Sequence, residues 1–100
     1  MDNSLNGVLK TLRAHERELR QLGASHAAVF GSVARGEAVA GSDIDILVEL
    51  DGEMRLGVFE YARLKLYLGE LLGGAIDVVN RKTLKPLLRE NILHDAVDAF

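Results

Sequence analysis

Three short apolar runs, set between longer stretches of helical period, constrain the fold of this chain more than any other feature. Residues 26–30, 44–50 and 75–79 are too short for buried helices, and all are bounded by glycine or turn residues. The second is rich in β-branched side chains. Over residues 4–22, Leu5, Val8, Leu9, Leu12, Leu19 and Leu22 recur at helical spacing, and Gly23 stands where a helix would end. Residues 56–72 are helical again, with Glu60, Arg63, Tyr67 and Glu70 on one polar stripe and Gly73-Gly74 as the stop. Residues 83–99 read as a final helix whose first turn holds Pro86, where a missing N–H breaks no bond. Residues 33–37 allow one helical turn, 38–42 a loop and 51–53 a turn. The order helix, strand, short helix, strand, helix, strand, helix predicts an α/β (α+β) domain, a small sheet covered by helices.

Composition narrows the partners. At 100 residues, 48% of them hydrophobic, the chain has one domain's worth of core, spanning 1–100. Twelve Lys and Arg against 15 Asp and Glu give a net charge of −3 with no long basic run, which argues against binding nucleic acid or anionic lipid through bulk charge. A phosphate ligand must then be recruited locally. The absence of cysteine excludes disulfides, thiolate zinc sites and a Cys nucleophile, and suits a cytoplasmic protein. The first residues, Met1-Asp2-Asn3-Ser4, lack the pattern of a signal peptide, and no stretch approaches a membrane span.

The chemistry gathers in one constellation. Gly31-Ser32 is followed, after ten residues, by Asp43-Ile44-Asp45, and one strand later by Asp77 within Ile76-Asp77-Val78-Val79. Each part alone has a structural reading, but together they have a chance expectation on the order of one in a thousand for this length. Strand side chains alternate, so Asp43 and Asp45 share a face about 7 Å apart. Two hard carboxylates suit Mg2+, and a pair of such ions about 4 Å apart can clamp both oxygens of an in-line displacement. Asp77 supplies a third ligand or a general base; set in an apolar strand, it needs a partner, which an Arg or backbone N–H groups would also provide. Gly31 lets backbone come close to an anion, and Ser32 offers its hydroxyl either to a phosphate or to cap the next helix. Arg35 is as well placed for a phosphate as for Glu37 or a nearby Asp. Metals on carboxylates, a small phosphate cradle and no Walker-type lysine loop point to nucleotidyl transfer, with pyrophosphate leaving.

Other charged and aromatic groups read as structure. Arg13, Arg17 and Arg20, with Glu16 and Glu18, form a solvated helix face, and Arg81-Lys82 a solvated loop. Tyr67 suits a core edge or a partner surface, and His15, His26 and His94 lack metal-ligand spacing.

Residues 31–38, Gly-Ser-Val-Ala-Arg-Gly-Glu-Ala, and 42–48, Ser-Asp-Ile-Asp-Ile-Leu-Val, resemble the active-site signature of the minimal nucleotidyltransferase (MNT) family within the DNA polymerase β-like superfamily. With 76–79 and the closing segment, the likeness spans nearly the whole chain. The resemblance implies a small mixed β-sheet flanked by helices, Asp43, Asp45 and Asp77 on Mg2+, and Gly31 and Ser32 on the triphosphate. It further implies an antitoxin paired in a hetero-oligomer with a HEPN-domain RNase toxin, transferring AMP from ATP to a tyrosine of that partner. The contrasting expectation is an antitoxin that masks its toxin by contact alone, with a vestigial nucleotide site. A core this small is expected to rely on a partner to present the acceptor hydroxyl.

Overall fold

A computed structural model describes residues 4–39 and 41–100. Met1, Asp2 and Asn3, on which the expectation of no signal peptide rests, and Ala40, in the loop expected over 38–42, lie outside the described residues.

The amphipathic N-terminal segment forms two helices rather than the single one expected over 4–22. Helix α1 (Leu5–Ala14) starts at Ser4, whose Oγ accepts the N–H of Gly7, and α2 covers Glu16–Gln21. The break lies at His15. In an unbroken helix its backbone N–H would bond the carbonyl of Thr11; instead the ring Nδ1 takes that carbonyl at 2.9 Å and the backbone N–H turns to Leu12. The apolar stripe survives the break, because Val8, Leu9, Leu12 and Leu19 all remain in the core.

Strands β1 (Ala24–Phe30), β2 (Ile44–Leu50) and β3 (Ile76–Asn80) fall where the apolar runs predict them. They join a fourth, β4 (Val97–Asp98), in the order β3-β2-β1-β4; β1 is antiparallel to β2 and β4, and β2 is parallel to β3. The parallel pair needs a crossover, which helix α4 (Val58–Leu72) supplies. The sheet is therefore mixed, as the resemblance implies.

Alternation along the strands sorts the side chains between two faces. Val29, Ile44, Ile46 and Val48 pack with Val8, Leu12, Leu19, Leu64, Leu68 and Leu72 from α1, α2 and α4 in the main core. On the opposite face, Ala28, Phe30 and Leu47 meet Val79, Leu84, Ile92, Leu93 and Ala96. This thinner layer belongs to a 3-10 turn (Arg81–Thr83) and helix α5 (Pro86–Asp95), with Pro86 in its first turn. Among the described residues no helix is long and apolar enough to cross a membrane.

The C-terminal segment departs from the helix expected over 83–99. The helix stops at Asp95, and Val97–Asp98 forms β4, pairing Val97 with Val29 and Asp98 with Ala28. The free edge of β1 offers backbone partners that outweigh a last helical turn. Arg13 then fixes the strand from α1, donating through Nε to the carbonyl of Ala99 at 2.8 Å and through Nη2 to that of Asp98 at 3.0 Å. The first-helix arginines are thus only partly a solvated face, since Arg20 also lies over the Phe100 ring at 5.0 Å. Arg13→Ala is expected to lower the unfolding free energy by ~1–3 kcal/mol. It should also speed exchange of the Ala99 amide, which donates to Ala27 at 2.8 Å. Hydrogen exchange checks this; unchanged protection would mean that strand pairing alone holds β4.

Candidate active site

The second face of the sheet carries the carboxylates. Asp45 points away from the main core because its neighbours Ile44 and Ile46 point into it, and Asp43, two residues earlier, falls on the same side. The parallel register sets Asp45 directly beside Asp77 of β3, and the antiparallel register sets it beside Phe30 of β1. Three residues distant in sequence thereby meet at the end of the sheet where β2 and β3 begin.

Gly31 follows Phe30 and completes the arrangement. Its φ is +72°, a conformation that side-chain-bearing residues rarely adopt, and a Cβ built on it would overlap Oδ2 of Asp45. The missing side chain is the space that the Asp45 carboxylate occupies. Gly31 opens the short helix α3 (Gly31–Ala34), so the helical turn begins two residues earlier than the expected 33–37. The N-cap is Phe30, and Ser32 lies inside the turn, which sets aside a capping role for its hydroxyl. Among the described residues Ser32 Oγ has no hydrogen-bond partner, and no buried side-chain oxygen there is left unpaired, so this hydroxyl is within reach of solvent.

Electrostatics mark Asp45 as the centre of the cluster. Burial, then the charge of Asp77 and then that of Asp43 hold its carboxyl above the usual range, while Arg35 opposes them. Asp77 itself corrects one expectation. It is exposed, because β3 is the edge strand, so desolvation does not force a partner on it. Its place in the site rests on register. The phenol of Tyr61 on α4 is likewise raised, by burial and then by Asp77, and donates to the Val78 carbonyl at 3.5 Å.

Arg35 takes the carboxylate partners that the sequence allows for it. Its Nε donates to Glu37 at 2.7 Å and its Nη1 to Asp95 of α5 at 2.6 Å. Glu37 is legible as a near neighbour, whereas Asp95 lies sixty residues away and nothing in the sequence signals it. Of the other groups considered, Arg81 pairs with Glu49 at 3.6 Å, Lys82 is exposed, and Tyr67 is half-buried at the core edge. His15 meets the Tyr67 ring edge-on, with centroids 6.5 Å apart.

The donor set suits a hard divalent cation: like charges stand side by side, only partly offset by Arg35, and all are oxygen ligands. No group of three or more His, Asp or Glu among the described residues is by itself arranged to hold a metal ion. Coordination there would have to be completed by water and substrate oxygens, as Mg2+ ordinarily requires. Gly31→Ala is expected to destabilise the protein by ~1–2 kcal/mol in urea unfolding, through its positive φ and the displaced carboxylate.

Comparison with known proteins gives the family. The nucleotidyltransferase domain family matches residues 12–99. The chain is 38% identical over 95 residues to protein adenylyltransferase MntA of Thermococcus cleftensis, covering 94% of each. A solved chain described provisionally as a minimal nucleotidyltransferase is 43% identical with a TM-score of 0.70, over 89% of this chain and 93% of that one. The same fold occurs in a complex of a tri-AMPylated Shewanella oneidensis HEPN toxin with MNT antitoxin, at 18% identity and a TM-score of 0.63, over 92% of this chain and 71% of that one. The chain belongs to the nucleotidyltransferase domain family as one of its minimal members, and it is an enzyme of the nucleotidyltransferase type.

Proposed function

We propose that the chain transfers the AMP moiety of ATP to a tyrosine hydroxyl of a HEPN-type RNase toxin and thereby acts as its antitoxin. The observation that carries this reading is the pairing of Asp45 with Asp77, beside Asp43 and over the gap left by Gly31. The name of the MntA relative and the AMPylated toxin in the Shewanella complex support the acceptor class and the partner. Apolar side chains left outside the fold support a protein partner too: Phe59 on α4 is 86% exposed and Leu87 on α5 is 90% exposed.

In this reading each residue takes a role that its place allows. Asp43, Asp45 and Asp77 would hold Mg2+, which when bound neutralises triphosphate charge and stabilises the entering and leaving oxygens. Ser32 Oγ donates to a phosphate oxygen, and Gly31 lets the triphosphate lie against bare backbone. Arg35, at the end of α3, adds a cationic contact. Asp77, exposed at the sheet edge, is the carboxylate a docked acceptor can reach. It takes the hydroxyl proton as the acceptor oxygen bonds the α-phosphorus and the bond to pyrophosphate breaks. Solvent then receives the proton.

Incubation of the purified chain with Mg2+, lysate of its own cells and ATP labelled at the α or the γ phosphate tests this. Label from the α position alone should enter a protein band, and Asp43→Asn or Asp45→Asn should reduce it at least about a hundredfold. Neutralisation of a co-purifying toxin that survived both substitutions would instead assign the chain to masking by contact. Stability should move the other way. Because the folded protein raises the Asp45 carboxyl above its unfolded value, it binds more protons than the unfolded chain between the two, so ionising Asp45 lowers stability as pH rises through that window. Asp45→Asn should therefore melt slightly higher than wild type at pH 7 without metal, by roughly 2 °C given solvent screening, and this gain should vanish toward pH 3.

A further inference from the structure

We infer that Asp95, the last residue of α5, is a positioning residue for the nucleotide: it fixes the Arg35 guanidinium so that the remaining N–H groups of that side chain serve the triphosphate. The inference rests on the nucleotide-binding reading given above.

The geometry is that of an oriented guanidinium. Arg35 caps α3, and its backbone N–H donates to the carbonyl of Gly31 at 3.1 Å, so its Cα is tied to the phosphate cradle. Glu37 holds Nε and Asp95 holds Nη1. An Arg side chain has five N–H donors, and the others here have no protein partner among the described residues. Two carboxylates thus set the plane of a long, otherwise mobile side chain before any ligand arrives. That removes part of the ordering entropy a phosphate contact must overcome.

The placement of Asp95 lacks a purely local reason. It ends α5, where the helix macrodipole disfavours a negative charge, and its side chain is only 23% exposed. Besides Arg35, its neighbour in charge is His94, 3.7 Å away, mostly exposed and attractive only when protonated. Arg35 is what the carboxylate faces, and α5 lies on the same sheet face as Asp45 and Asp77.

Charge alone predicts the opposite of positioning, which makes the inference testable. Removing the Asp95 charge leaves the site more positive, so a purely electrostatic role would have Asp95→Asn bind ATP more tightly. Positioning has it bind more weakly. Titration of the purified chain with Mg2+ and a fluorescent N-methylanthraniloyl ATP reads affinity without any acceptor, while α-label transfer separates KM from kcat. Asp95→Asn is expected to weaken analogue binding and raise the KM for ATP about five- to tenfold, the scale of one charge-assisted contact, with kcat within about twofold. Asp95→Glu should recover most of the loss. In an Arg35→Ala background, itself weakened about tenfold or more, Asp95→Asn should add nothing. Unchanged or tighter binding by Asp95→Asn overturns the inference, as does a full additional loss in the Arg35→Ala background, which would mean that Asp95 acts through the seating of α5. Failure of the wild-type chain to bind the analogue would overturn the nucleotide reading itself, and the inference with it.

Discussion

The register of β2 is the constraint on which this structure depends. Ile44, Ile46 and Val48 enter the main core, so Asp43 and Asp45 must take the other face. A slip of one residue would carry both carboxylates into a layer of leucines and expose the isoleucines, at a penalty no local rearrangement could absorb. Hydrophobic burial therefore aims the acids. Once β2 is fixed, the parallel pairing of β3 sets Asp77 beside Asp45, and the antiparallel pairing of β1 sets Gly31 against the same carboxylate.

The site contributes little to the stability of that arrangement and is held in place by its surroundings. Three like charges converge, one glycine adopts a positive φ, and the central carboxyl is partly desolvated. None of these favours folding. All are tolerated because the opposite face buries Leu12, Leu19, Leu64, Leu68 and Leu72 almost completely. The division of labour is spatial: α1, α2 and α4 stabilise one face of the sheet, and the other, more thinly covered by α5, is left open for chemistry.

That thin layer also links distant parts of the chain. Helix α5 and the Ala96 that caps it seat Ile92, Leu93 and Ala96 against Phe30 and Leu47, yet the helix leaves Leu87 and Leu88 outside. At its end Asp95 meets Arg35, and immediately beyond it β4 closes the edge of β1 under the grip of Arg13. The Gly31–Ala34 turn, the final helix and the first helix are thus connected through two arginines: Arg13 reaches the carbonyls of Asp98 and Ala99, and Arg35 spans local Glu37 and distant Asp95.

The sequence by itself determined the first three strands, the faces of the long helices and the acidic pair, because each depends on local spacing: period two puts Asp43 and Asp45 on one side, and helical spacing puts Leu64, Leu68 and Leu72 of α4 in a stripe. The Gly-Ser step and Asp77 were legible as parts of one signature, although the apolar neighbours of Asp77 suggested a buried group and the edge position of β3 exposed it. Only the tertiary structure decided the break at His15, where a ring nitrogen competes for a helix carbonyl, and the conversion of residues 97 and 98 from helix to strand, where the open edge of β1 outweighs local propensity. It also decided the partner of Arg35. Salt bridges between residues sixty positions apart leave no periodic trace in a sequence, because nothing local depends on them; they exist only once the sheet has brought α3 and α5 to the same face.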